Sequence, residues 1–230
     1  MILQMNKIEK VFGDYVVLKD FSLDINDKEI VCIIGPSGCG KSTMLNIISG
    51  LIQPSKGDFL NKSERISYVF QEDRLLPWKT VYENILAVNK KASREQMKIL
   101  IDKVGLKGFE NYHPSQLSGG MRQRCSIARA FNYEAKLLLM DEPFKSLDYN
   151  LRFAMINHLL NLWEIKQNSI IFVTHEIDEA LLLGDRILVL SHTPTKVIKE
   201  FEIKALKRER SLENEMLIKI RNEIISCLVK

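Results

Sequence analysis

GPSGCGKST, Gly35–Thr43, is the stretch on which the fold turns. Gly35, Gly40, Lys41 and Ser42 fit the spacing GxxxxGK[ST], in which glycines let the backbone aim several N–H groups inward at phosphate oxygens. Ahead of it, IVCIIG (Ile30–Gly35) is a continuous β-branched run that reads as a buried strand. Behind it, Met44–Leu51 is an apolar helical stretch. A helix N-terminus adds positive potential to such a loop; Lys41 can reach the β- and γ-phosphates and Ser42 can ligate Mg²⁺. The expected site for a nucleoside triphosphate therefore comprises Gly35, Pro36, Ser37, Gly38, Cys39, Gly40, Lys41, Ser42 and Thr43.

Three further short apolar runs, Lys136–Asp141, Ser169–Thr174 and Arg186–Ser191, read as buried strands. Between the first two of these, Leu151, Met155, Leu159 and Leu162 recur at helical spacing. Strand, helix, strand favours a parallel sheet and an α/β fold. The N-terminal segment alternates polar and apolar residues, which predicts antiparallel hairpins around Gly13 and Asp27 capping that sheet. From about Thr80 to Asn132 the pattern becomes helical, as an inserted helical subdomain within a single domain spanning 1–230. Leu212, Met216, Ile220, Ile224 and Leu228 predict a closing amphipathic helix over about 211–228.

Composition narrows the classes without naming a partner. Basic residues exceed acidic ones by 33 to 29, and no basic tract of nucleic-acid or lipid-binding type stands out. No run approaches the roughly eighteen apolar residues of a membrane span, and MILQMNKIEK lacks the order of a secretion signal, so a cytoplasmic chain is expected. Cys32, Cys39, Cys125 and Cys227 lie far apart, which indicates neither a disulfide framework nor a zinc site. Cys39 sits among inward N–H groups beside Lys41, where positive potential favours thiolate; the competing reading is a small inert filler.

Asp141 ends the LLLMD run, where a carboxylate reaches the Mg²⁺ shell, and Glu142 follows, placed to polarise an attacking water. His175 lies just past another buried strand, within reach of a γ-phosphate. A second anion cradle, LSGGMRQR (Leu117–Arg124), offers Ser118 as an N-cap and the N–H groups of Gly119 and Gly120. It lacks a lysine and a metal ligand of its own. If one chain cannot fold both cradles onto one nucleotide, a second copy supplies the other, giving a symmetric pair with two sites.

This set of motifs resembles the ATP-binding subunit of ABC transporters, from about Met1 to about Glu202. The resemblance implies a P-loop ABC ATPase fold, ATP and Mg²⁺, and a homodimer. By it, GPSGCGKST is the Walker A loop, Asp141 and Glu142 close Walker B with Glu142 the catalytic base, and LSGGMRQR is the signature. Gln71 is the Q-loop glutamine at the metal, Ser146, Leu147 and Asp148 the D-loop, with Asp148 at the nucleotide, and His175 the switch histidine. Phe12 matches the aromatic that stacks on adenine, with Tyr15 a substitute. The apolar loop Leu75, Leu76, Pro77 and Trp78 is either buried against the helical subdomain or a socket for a membrane subunit.

QEDRLLPW resembles the nitrate, sulfonate and taurine importer branch, while FKSLD places Lys145 where a small residue is usual. The implied partners are integral membrane permease subunits, an extracytoplasmic solute-binding protein and no nucleic acid, with peripheral attachment to the inner face of the membrane. Related importers also carry vitamin precursors, so a vitamin precursor is the alternative solute. The rivals are an exporter component and a soluble ABC-type ATPase acting on nucleic acid or ribosomes.

Overall fold

Residues 1–145 and 147–229 are described by the computed structural model. The chain opens with β1 (Leu3–Phe12) and β2 (Tyr15–Ile25), an antiparallel hairpin turned at Gly13 with φ +58°. There follow β3 (Ile30–Ile34), α1 (Lys41–Ile48), β4 (Lys56–Asn61), β5 (Ile66–Val69), α2 (Val81–Leu86), α3 (Arg94–Lys103) and α4 (Gly119–Asn132). The remainder alternates as β6 (Leu137–Asp141), α5 (Tyr149–Lys166), β7 (Ser169–Thr174), α6 (Ile177–Leu183), β8 (Arg186–Leu190), β9 (Val197–Glu202) and α7 (Glu215–Leu228).

Two sheets result, one ordered β2-β1-β4 and antiparallel, the other ordered β5-β6-β7-β3-β8-β9 and parallel except for β9. The central strands divide their side chains between two cores. Ile30, Cys32 and Ile34 of β3, with Leu138 and Met140 of β6, join the apolar faces of α4, α5, α6 and α7. Val31 and Ile33, with Leu137 and Leu139, join Met44, Leu45 and Ile48 of α1 and the inner face of the smaller sheet. Burial on both faces explains why these strands read as unbroken apolar runs.

Register fixes the functional edge. Ile34 pairs with Thr174, Val173 with Asp141, and Met140 with Val69. The chain segments leaving β5, β6, β7 and β3 therefore emerge side by side at the carboxyl edge of the sheet, where open α/β sheets bind ligands.

Several elements depart from the sequence reading. The turn at Asp27 is not a hairpin, because β2 and β3 lie in different sheets. Strands β4, β5 and β9 were not anticipated: β4 (KGDFLN) is polar and largely exposed, and β5 has only four residues. Helix α1 stops at Ile48, with Gly50 at φ +76° just beyond. Helix α7 starts at Glu215, capped by Asn214, so Leu212 precedes it. Its strict four-residue spacing also misplaced Met216, which is 43% exposed while Leu217 and Ile224 are buried. A step of four overshoots the 3.6-residue turn by about 40°, so the inward stripe drifts through Leu217, Ile220, Ile224 and Leu228. Cys32, Cys39 and Cys125 are buried, as small core residues should be.

Ile224→Ala is expected to cost about 2–5 kcal/mol of unfolding free energy, whereas Met216→Ser should change it by less than about 0.5 kcal/mol; urea denaturation of both variants checks the face assignment.

Candidate functional site

The phosphate loop is shaped by close packing beneath it. Gly40 is the N-cap of α1 at φ +101°, and no side chain caps the helix, which leaves its first-turn N–H groups free for an anion. A Cβ at Gly40 would also lie 2.6 Å from Val17 Cγ1, so both conformation and space demand glycine. Lys41 is buried and its Nζ donates to the carbonyls of Gly35 at 2.7 Å and Pro36 at 2.8 Å. That holds a cation over the loop.

Cys39 is 2% exposed, and its N–H donates to the Pro36 carbonyl at 3.3 Å. Burial pushes its thiol up, outweighing the opposing pull of Lys41. The thiolate expectation is thereby corrected, and the small-filler reading fits: a Cβ at Gly35 would lie 3.0 Å from Cys39 Sγ.

The loop opens into a cavity of about 350 Å³ lined by Val17, Ser37, Gly38, Gly40, Lys41, Ser42, Thr43, Gln71, Glu142 and Lys145. A larger hollow of about 620 Å³, edged by Lys28, Lys62, Lys136 and Lys166, sits at the opposite, amino end of the strands and has no glycine loop. The smaller cavity is the one the sheet topology favours.

Asp141 lies beside Ser42 at the end of β6. Burial pushes its carboxyl up, against the pull of Ser42 and Lys41, and Glu142 adds to the rise. Ser42 hydroxyl, Asp141 carboxylate and Gln71 amide are all hard oxygen donors, which suits Mg²⁺, an ion that takes few protein ligands and keeps waters and phosphates for the rest.

Glu142 adopts φ +45°, a conformation rare for a side-chain-bearing residue, with its N–H donated to Val173 O at 2.9 Å. Its Oε2 lies 2.8 Å from Lys145 Nζ and 3.5 Å from His175 Nδ1. Burial pushes the carboxyl up, but Lys145, His175 and Lys41 together hold it below its ordinary range. Behind this pair runs a chain of charge. His175 Nε2 is 3.6 Å from Glu176 Oε1, Glu176 is 2.7 Å from Arg152 Nη1, and Arg152 Nε is 3.3 Å from Glu179 Oε1. Thr174 Oγ1 donates to Glu179 Oε2 at 2.6 Å. Sequence reasoning found Glu142 and His175 within this chain but not the contacts of Lys145, Glu176, Arg152 and Glu179; an i,i+3 Glu-Lys spacing was its only signal.

The second cradle stands apart. Ser118 caps α4 by accepting the Met121 N–H at 3.3 Å, and Ser118 and Gly119 are exposed. Neither they nor Gly120 line the cavity at Lys41, among the described residues. Gly120 also differs from its sequence reading as an unhindered N–H. It is buried, and a Cβ there would lie 2.7 Å from Leu151 Cδ2 of α5. Helix α4 is tied to the loop after Gln71 by Arg122 Nε on Asp73 Oδ2 at 2.9 Å and by Arg129 on the carbonyls of Arg74 and Asp73.

The apolar loop is buried at one end and exposed at the other. Leu75 is buried and Trp78 is 70% exposed. Buried Asn84 shapes the loop, accepting the Leu76 N–H and donating to the carbonyls of Leu76, Lys79 and Thr80. Phe12, half-exposed at the end of β1, carries Lys10 Nζ 4.8 Å from its ring centroid. The Tyr15 hydroxyl instead bonds Thr193 Oγ1 at 2.8 Å. Asp148 caps α5 by accepting the Leu151 N–H at 2.9 Å and is exposed; Ser146 lies outside the described residues.

A model of the ABC transporter family matches residues 18–145. An aliphatic sulfonates import ATP-binding protein, SsuB, of Bacillus cereus is 41% identical over 98% of this chain and 95% of its own. The chain belongs to the ABC transporter family. A second SsuB protein, of Pseudomonas syringae pv. tomato, is 40% identical over 95% of this chain and 94% of its own. Among solved structures, the dimeric ABC transporter cassette MJ0796 has a TM-score of 0.74 at 30% identity, over 89% of this chain and 100% of that one. The same cassette bound to ADP and phosphate gives 0.75 at 31%. The two sheets described above are thus the ABC ATPase fold. No helix among the described residues is long and apolar enough to cross a membrane.

Two outcomes follow from the buried groups of this ABC cassette. Cys39 should resist maleimide in the native protein and react fully in denaturant, as mass spectrometry would show. Burial, opposed by Thr174 and Arg152, pushes Glu179 up to about 7 from an ordinary 4.5. The folded chain then binds more protons than the unfolded one between those values, so stability falls as pH rises through that window, by at most about 1.4 kcal/mol per pH unit. Denaturation of wild type and Glu179→Gln from pH 4.5 to 7.5 should show that slope only in the former.

Proposed function

We propose that the chain is the ATP-hydrolysing subunit of an importer for a small solute of the sulfonate, nitrate or taurine class. In this reading two copies close head to tail on two molecules of ATP. The observation that carries it is the separation of the cradles. Lys41 has its own cavity, while Ser118 and Gly119 face outward at the tip of α4, open to a nucleotide held by another chain. The sulfonate-import names of the relatives support uptake over export.

In the assembled site the first-turn N–H groups of α1 and Lys41 hold the β- and γ-phosphates. Ser42, Asp141 and Gln71 would hold Mg²⁺, which when bound would neutralise the charge on the phosphates. Glu142 takes the proton of the attacking water, and His175, in contact with Glu142, lies toward the γ-phosphate. Ser118, Gly119 and Gly120 of one copy complete the site of the other, with Asp148 at the same seam. Phe12 stacks on adenine, which gives affinity with little base discrimination and allows some use of GTP.

Trp78, with Pro77, presents an apolar surface fitted to a cytoplasmic segment of an integral membrane permease. The chain then sits at the inner face of the membrane through that contact. Solute choice belongs to the permease and to an extracytoplasmic solute-binding protein, not to any residue at the nucleotide.

Glu142→Gln should retain ATP binding and lose about 10²- to 10⁴-fold in turnover, since an amide keeps the shape but cannot accept the proton. Its mass by light scattering should double on adding MgATP. Ser118→Arg added to that background should bind ATP with unchanged affinity yet stay monomeric; pairing of the double variant at the parental ATP concentration would refute completion across the seam.

A further inference from the structure

The position that departs from the family wording, Lys145 in FKSLD, is also the one whose side chain touches the catalytic carboxylate. The turn after β6 makes the contact local. Lys145 N–H donates to the Glu142 carbonyl at 3.2 Å, which folds the lysine stem back over the residue three places before it. Its Nζ then meets Glu142 Oε2 at 2.8 Å, inside the same cavity as Lys41 and Gln71. A small residue at this position could not reach.

A general base must turn a free oxygen toward the water it deprotonates, at about 2.6–3.2 Å. Here Oε2 already faces an ammonium, with His175 Nδ1 also 3.5 Å away. Glu142 has its backbone in the left-handed region with its N–H bonded to Val173 O, which sets the point from which the carboxylate projects toward Lys145 and His175. We propose that Lys145 is an intrachain restraint on Glu142, holding one oxygen of the carboxylate and slowing ATP hydrolysis by the subunit. The inference rests on the reading of Glu142 as the base. Lys145 acts through Glu142 and is therefore a positioning residue.

Solvent sets the size of the effect. The lysine side chain is 48% exposed, so water and salt screen the pair and compete for the ammonium. A two- to tenfold slowing is the scale that such a contact supports.

The test is steady-state ATP hydrolysis by the full chain carrying Lys145→Ala, Lys145→Met, Lys145→Arg, Glu142→Gln, or Glu142→Gln with Lys145→Ala, with melting temperatures measured alongside. Lys145→Ala and Lys145→Met should raise kcat two- to tenfold with KM for MgATP within twofold of the parent. Lys145→Arg, which keeps the cation, should raise kcat less than Lys145→Met does. Adding Lys145→Ala to Glu142→Gln should give no acceleration. An unchanged or lower kcat in a Lys145→Met protein that melts like the parent overturns the restraint. So does a large rise in KM, which would place the ammonium on phosphate instead. Near-parental turnover by Glu142→Gln would instead refute the reading of Glu142 as the base, an outcome read from a different variant.

Discussion

The parallel register of four strands is the constraint on which everything at the nucleotide end depends. Each strand supplies one chemical part. The loop after β3 brings backbone N–H groups and Lys41, the end of β6 brings Asp141 and Glu142, the residue after β7 is His175, and Gln71 follows β5. None of these is a neighbour of another in sequence except the Asp-Glu pair. Ladder pairs such as Val173 with Asp141 and Ile34 with Thr174 place them side by side. A slip of one residue in β7 would turn its apolar side chains to the opposite faces as well as displacing His175, so burial of both faces protects the chemistry.

From this edge, polar contacts run outward into the helices. Arg122 and Arg129 fasten the loop that follows Gln71 to the helix bearing Ser118, while Arg152 links the histidine turn to the helix capped by Asp148. Both ties join a segment at the Lys41 cavity to a segment on the surface proposed to meet a second copy. Asn84 adds a third, fixing the loop that carries Trp78 to α2. The ion pairs are partly exposed and individually weak, so their role is in placing segments relative to one another more than in stabilising the fold.

What was legible in the sequence follows from where the signal is local. The phosphate loop and the three other buried strands were readable because burial on two faces writes continuous apolar runs. Strands β4 and β9 were not, since an exposed strand such as KGDFLN owes its conformation to pairing with β1 and carries no pattern of its own. Helix α7 was placed by its apolar residues, but fixed spacing misassigned Met216 because helical phase accumulates error. At the site, residue types were legible from the motifs, whereas contacts made by turns and neighbouring helices, such as Lys145 on Glu142 and Arg152 on Glu179, required coordinates. Cys39 was judged by the field of its loop, and burial decided its chemistry.

The packing of Gly120 against Leu151 gives the glycine pair in LSGG two unlike duties. Gly119 is exposed, with only Arg122 Nη2, at 3.8 Å, in contact with a Cβ placed there, and can serve whatever approaches from outside, while Gly120 lets α4 sit down on the first turn of α5. Helix α5 is capped by Asp148, six residues after Glu142. The outward loop and the start of α5 are therefore packed directly on one another, so the seat of α4 on Leu151 sets how the tip of α4 stands relative to the chain leaving β6. A motif valued for its backbone amides is in this respect a bearing surface.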